Sequence, residues 1–131
     1  MNNFSNSIKV FNRLKREFQE HGSLVIAFDF DNTVSDFHNQ GLDMSNTVKE
    51  LKRAHANGLS LFCFTANNDH DFVKSFVESL IGIKNVPINM NHLDHLFNSR
   101  KPFYSLLLDD RAGLASAEEA LWSLNNYVET L

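Results

Sequence analysis

A single cysteine, Cys63, leaves this 131-residue chain no internal disulfide, which excludes a disulfide-stapled secreted scaffold. No apolar run approaches the roughly 20 residues that a transmembrane helix requires. The opening residues, MNNFSNSIKV, do not have the charged-then-apolar layout of a signal peptide. Positive charge is not in excess either. With a net charge of −4 and a pI near 5.8, no global field draws in nucleic acid or anionic membrane. Internal repeats, low-complexity tracts and linkers are also missing. What the chain does have is apolar mass: 43% hydrophobic residues, 21% charged, and twelve phenylalanines, ample for a buried core. The length suits one domain. The expectation is a single domain over 1–131, soluble and cytoplasmic, with an N-terminal helix over 1–22 packed on a core of about 23–131.

Residues 3–21 carry Ile8, Phe11, Leu14 and Phe18 at the spacing of one helical face, with Lys9, Arg13 and Arg16 on another and Gly22 as a stop. This reads as a docking helix with a solvated basic face, too sparsely charged for a phosphate-backbone contact. Residues 24–28 (LVIAF) suit a strand buried on both faces. A helix follows over 45–57, capped by Asp43 or Ser45 and apolar at Val48, Leu51 and Ala54. A second strand is expected over 59–64 (LSLFCF). The next helix is capped by Asn68 or Asp69 and striped by Phe72, Phe76, Leu80, Val73, Val77 and Ile81. Residues 86–90 suit a short edge strand because of Pro87. Residues 91–100 are polar and irregular. A third clear strand, 104–108 (YSLLL), precedes a helix over 113–128 with Leu114, Ala117, Leu121, Leu124 and Val128 on one side. Apolar strands alternating with amphipathic helices predict an α/β fold, a three-layer α/β/α sandwich with a parallel Rossmann-like sheet.

Each strand ends in polar residues: Asp29-Phe30-Asp31-Asn32-Thr33 after the first, Thr65 after the second, Asp109-Asp110 after the third. In a parallel sheet these ends share one edge, where ligands of open α/β folds bind. Up to four carboxylates gathered there disfavour one another's ionisation unless a cation joins them. Oxygen donors with no nearby His or Cys cluster point to Mg²⁺ rather than zinc. Thr65 brings a hydroxyl and a backbone N–H beside a helix N-terminus, suited to a phosphate oxygen, and Ala66 follows it. Lys101 brings a positive charge to the same edge. Together these describe a phosphoryl-transfer site.

The ordered set Asp29-x-Asp31-x-Thr33, Thr65, Lys101 and Asp109-Asp110 resembles the haloacid dehalogenase-like (HAD) superfamily of phosphohydrolases, over roughly residues 24–128. The resemblance implies Asp29 as nucleophile, forming an aspartyl-phosphate. It implies Asp31 as the general acid for the leaving oxygen and then the base for the hydrolytic water. Mg²⁺ would be held by the Asp29 carboxylate, the Asp31 carbonyl and an acid of the Asp109-Asp110 pair, with Asp110 favoured as the direct ligand and Asp109 as its neighbour. Thr65, Ala66 and Lys101 would hold the phosphoryl group. Residues 34–44 allow a loop or hairpin flap but not a cap domain, and residues 66–100 are mostly used by a helix and a short strand. The likeness is therefore to a capless member with an open site, of a kind that often acts on macromolecules or covers its site by oligomer contacts. Residues 101–111 (KPFYSLLLDDR) are more distantly similar to small phage and bacterial members and to the phosphatase half of polynucleotide kinase-phosphatases. The implied partner is a phosphorylated substrate (a nucleotide, a small metabolite or a macromolecular end), with a second copy of the chain able to cover the site. Membranes are not implied, and charge does not indicate nucleic acid.

Other residues have plainer readings. Thr33 suits a loop-fixing hydrogen bond. His92 and His95 share helical spacing but find no third ligand, and His38 lies in the flap segment. Cys63 suits an inert buried thiol, and Phe72, Phe76 and Trp122 are expected in the core. Arg111 either bonds its acidic neighbours or meets substrate. A receiver domain has a similar acidic pocket but places its lysine last, which the order here rejects. A non-catalytic protein that sequesters a phosphorylated ligand is the remaining alternative.

Overall fold

The apolar run following Gly22 becomes the central strand of a parallel sheet in the computed structural model, which describes residues 3–30, 34, 44–89, 104–109 and 114–131. The chain runs α1 (Asn3–His21), β1 (Val25–Asp29), α2 (Ser45–Ala56), β2 (Ser60–Phe64), α3 (His70–Ile81), β3 (Leu106–Leu108) and α4 (Leu114–Glu129). Strand order is β2-β1-β3, and both pairings are parallel. The chain is thus α/β, with a small open three-stranded sheet and four helices among the described residues. None of the described helices is long and apolar enough to cross a membrane.

Side chains alternate across the sheet, and the two faces carry different loads. Ile26, Phe28, Leu61, Cys63, Leu106 and Leu108 meet Leu14 of α1, Leu51 and Ala54 of α2, Val73 and Val77 of α3, and Leu121 and Leu124 of α4 in one buried cluster. All four described helices therefore load the same face. The opposite face holds Val25, Ala27 and Phe62 with Phe64, Tyr104 and Leu107, and no described helix joins them.

The expected elements form with local changes that have physical causes. Asp69 caps α3 by accepting from the Phe72 N–H at 3.1 Å. Gly82 ends α3 in the left-handed region at φ 82°, its N–H donating to the Glu78 carbonyl. The capping position of α2 is Met44, with no side-chain cap bond; Ser45 is already helical, and Asp43 lies outside the described residues. Of the strand expected over 86–90, Met90 lies outside the described residues and residues 86–89 do not form one. They make a single parallel bridge, Cys63 to Ile88, in which the Pro87 carbonyl accepts from the Cys63 N–H and the Asn89 N–H donates to the Cys63 carbonyl. Proline has no N–H to extend the ladder, and Asn89 turns away at φ 57°.

Not every apolar residue reaches the core. Val73 and Val77 fill the inner face of α3, so Phe72 (45% exposed) and Phe76 (37%) stay half outside, packed edge-on to Phe30. Trp122 (52%) and Ile8 (42%) are exposed as well, against expectation. On α1, the side chain of Ser7 takes the buried position and bonds Glu119 on α4 at 2.8 Å. The basic face of α1 is solvated at Lys9 and Arg16, whereas Arg13 reaches across to the Ser105 carbonyl at 2.8 Å.

Candidate functional site

Parallel pairing delivers three strand ends to one edge. Asp29, the last residue of β1, is in register with Phe64, the last of β2, so Thr65 stands one step beyond. On the other flank the final pair is Phe28 with Leu108, which leaves Asp29 and Asp109 abreast one residue later. Neighbouring strands lie about 4.8 Å apart, so these two acidic residues occupy adjacent positions on that edge. The chain leaves β1 for β2 on one side and returns to β3 on the other. This reversal makes the end of β1 the switch point of the sheet, where open α/β folds bind ligands. Asp29, Thr65 and Asp109 are half-buried and Ala66 is exposed. Alternation along β1 puts Asp29 on the face of Val25 and Ala27, away from the four helices.

The turn from β2 into α3 is built by side chains bonding to backbone. The Thr65 Oγ1 accepts from the Asn67 N–H at 2.9 Å, in a bond that leaves the hydroxyl's own proton unused. The Asn67 Oδ1 accepts from the Asp69 N–H at 2.9 Å, and Asp69 caps the helix. These short polar residues compete for backbone groups and so write a fixed turn where a helix would otherwise start earlier. Thr65 differs from expectation in one respect. Its backbone N–H does not face the edge but donates to the Asn89 Oδ1 at 2.8 Å, while the Asn89 Nδ2 donates to the Thr65 carbonyl at 3.0 Å. The hydroxyl is thus the donor that Thr65 itself can offer to an anion. Asn89 went unrecognised in sequence because Asn85 and Asn89 look alike; both take positive φ, and nothing local says which one clasps a strand end.

Asp29 and Asp109 supply oxygen donors alone, a set that fits a hard cation such as Mg²⁺ and not zinc. Among the described residues no group of three or more His, Cys, Asp or Glu is placed to hold a metal ion. The other expected members, Asp31, Lys101 and Asp110, lie outside the described residues, as do Thr33, His38, His92, His95 and Arg111. The structure therefore brings Asp29, Thr65, Ala66 and Asp109 to one edge. Cys63 is fully buried in the helical-face core. In comparisons with protein-family models, curated proteins and solved structures, the chain matches none.

A second concentration of polar groups lies between α2 and α4, and no sequence pattern announced it. Arg53 donates to Glu50 at 2.8 Å, to Asn126 at 2.6 Å and to both Glu129 oxygens. Hydrogen bonding to Arg53, and then to Asn57, holds the Glu129 carboxyl below its ordinary value. Glu118 moves the other way: burial raises it, opposed by the hydrogen bond from Thr47 and aided by the charge of Glu50. A carboxyl raised in the folded state costs stability when ionised, and the cost fades as pH falls through its folded pKa. Glu118→Gln is therefore expected to melt above wild type at pH 7. Melting curves should show the gap closing as the pH drops through the carboxylate range.

Proposed function

We propose that this chain is a Mg²⁺-dependent phosphohydrolase of the haloacid dehalogenase-like type, hydrolysing a phosphate monoester through an aspartyl-phosphate. The observation that carries this reading is the meeting of Asp29, Thr65 and Asp109 at the switch-point edge of a parallel sheet, in the order the motif set requires. Asp29 attacks phosphorus as the bond to the leaving oxygen breaks, and Asp31 gives that oxygen its proton. Asp31 then takes a proton from the water that releases phosphate and regenerates the Asp29 carboxylate. The Thr65 hydroxyl, the Ala66 N–H and Lys101 orient the phosphoryl group and oppose the charge it develops. The Asp29 carboxylate, the Asp31 carbonyl and Asp110 or Asp109 would hold Mg²⁺, which would supply positive charge against these acids and the phosphoryl oxygens. The same reading gives the sheet a second covering layer, as a three-layer sandwich without a cap domain. It makes the substrate a phosphorylated nucleotide, metabolite or macromolecular end.

Hydrolysis of an aryl phosphate, measured with Mg²⁺ and again after chelation, tests it. Turnover is expected with the ion, is lost on chelation and returns when Mg²⁺ is restored. Turnover indifferent to chelation would overturn the metal assignment. Silence on aryl phosphate and on a panel of nucleotides, sugar phosphates and 3′-phosphorylated oligonucleotides would overturn the enzyme and favour a phosphate-binding protein.

A further inference from the structure

We propose that Asn89 is a positioning residue for the phosphoryl site, holding Thr65 by both of its main-chain groups so that the threonine hydroxyl and the Ala66 N–H are aimed together. This rests on the phosphohydrolase reading. The Asn89 amide accepts from the Thr65 N–H at 2.8 Å and donates to the Thr65 carbonyl at 3.0 Å. A side chain thus stands where a neighbouring strand would, continuing the ladder one step past the Cys63–Ile88 bridge. Asn89 itself is anchored, its own N–H donating to the Cys63 carbonyl at 2.7 Å. Its φ of 57° lies in the left-handed region that asparagine tolerates better than most residues, and this turns the amide back towards β2.

Geometry explains why such a clasp matters at this position. Thr65 is the first residue beyond β2, and among the described residues no strand pairs with it on the outer side. A strand end held on one side only frays, and a donor displaced by about 1 Å can cost roughly a hundredfold in rate. The clasp supplies the missing side. It also withdraws the Thr65 N–H from the anion, so an incoming phosphoryl oxygen meets the hydroxyl and the next N–H, whose relative placement the Thr65 backbone sets. The Oγ1 is oriented in turn by the Asn67 N–H at 2.9 Å. Asn89 touches no reacting atom in this scheme and acts through Thr65.

The test is a double-mutant cycle on the full chain with aryl phosphate and Mg²⁺. Asn89→Gly keeps the backbone at ease at positive φ and deletes both amide bonds. It is expected to lower kcat about 10- to 100-fold, with a smaller change in KM. In a Thr65→Val background the same substitution is expected to cost nothing further, because the hydroxyl it positions is gone. Should Asn89→Gly prove unfolded by circular dichroism, Asn89→Asp serves instead. It retains an acceptor for the Thr65 N–H, loses the donor, and is expected to fall between wild type and Thr65→Val in kcat. A folded Asn89 variant with wild-type kcat, or a loss fully additive with Thr65→Val, overturns the positioning role and leaves the phosphohydrolase standing. Wild type without Asp29-dependent turnover overturns both.

Discussion

Asp29→Asn is expected to remove aryl-phosphate turnover by at least about a thousandfold, the scale on which loss of a covalent nucleophile is felt, while the fold melts no lower than wild type. The two halves of this expectation come from different physics. Chemically, an amide oxygen lacks the negative charge that attacks phosphorus, and the neutral side chain is a weaker ligand for a hard cation. Structurally, the substitution is nearly isosteric at a half-buried strand end, and it leaves the β1 backbone pairing to Phe64 intact. It also removes one of two carboxylates that stand abreast beyond the Phe28–Leu108 pair. A functional acid at a cost to the fold is what a site built for chemistry looks like, whereas a carboxylate placed only to cap or solubilise would lose stability on neutralisation. Kinetics and melting curves of wild type and variant, with and without Mg²⁺, check both halves. A melting temperature that falls sharply with turnover would mark Asp29 as structural. Unchanged turnover in a folded variant would remove it as the nucleophile. Retained phosphate affinity, with turnover absent even in wild type, would point to a sequestering protein.

How much of this was legible in sequence depended on whether the signal was local. The strands announced themselves because a parallel sheet buries both faces and needs unbroken apolar runs, and all three are present within two residues or so of the expected places. Helix α3 was readable from its stripe and from Asp69, yet the stripe was too wide to show which half faced the sheet. Six apolar residues on two adjacent rows cannot all be buried against three short strands, so Val73 and Val77 went in and Phe72 and Phe76 stayed out. The placement of Asp29, Thr65 and Asp109 on one edge was legible because strand ends are predictable once strands are. Asn89 was not, since its role depends on a turn that brings residue 89 beside residue 65. The contacts of Asn125 with Glu50 and Asn57 were equally hidden. Within α4, Asn125 follows Leu124 directly and breaks no periodicity, so only the partner helix reveals what it does.

Asn125→Asp, a change of one atom at that hidden position, is expected to cost about 3–5 kcal/mol, the range for an uncompensated charge in a buried polar cluster. Asn125 is fully buried on α4. Its Nδ2 donates to both the main-chain oxygen and the Oε1 of Glu50, each at 3.1 Å, and its Oδ1 accepts from the Asn57 Nδ2 at 3.0 Å. Glu50 is itself buried, at 4% exposure, so the donor supplied by Asn125 cannot be replaced freely by water. The substitution turns that donor into an acceptor facing two oxygens, one of them on a carboxylate. Arg53, at 2.8 Å from Glu50, is already shared with Asn126 and Glu129 and cannot answer a second buried charge. At neutral pH the melting temperature should therefore fall by roughly 10 °C or more for a domain of this size. Acid should restore part of the loss, because a proton on the introduced carboxyl makes it a donor again. Asn125→Leu separates charge from packing: it removes the same donor but adds no charge and keeps the volume, so its cost should be about 1–3 kcal/mol and should not recover in acid. If the two variants lose equal stability at every pH, then packing alone joins α2 to α4 and the amide bonds contribute nothing specific. A larger, acid-reversible loss confined to Asn125→Asp would show that the donor pattern of one buried amide sets how these helices meet beneath the sheet that carries Asp29.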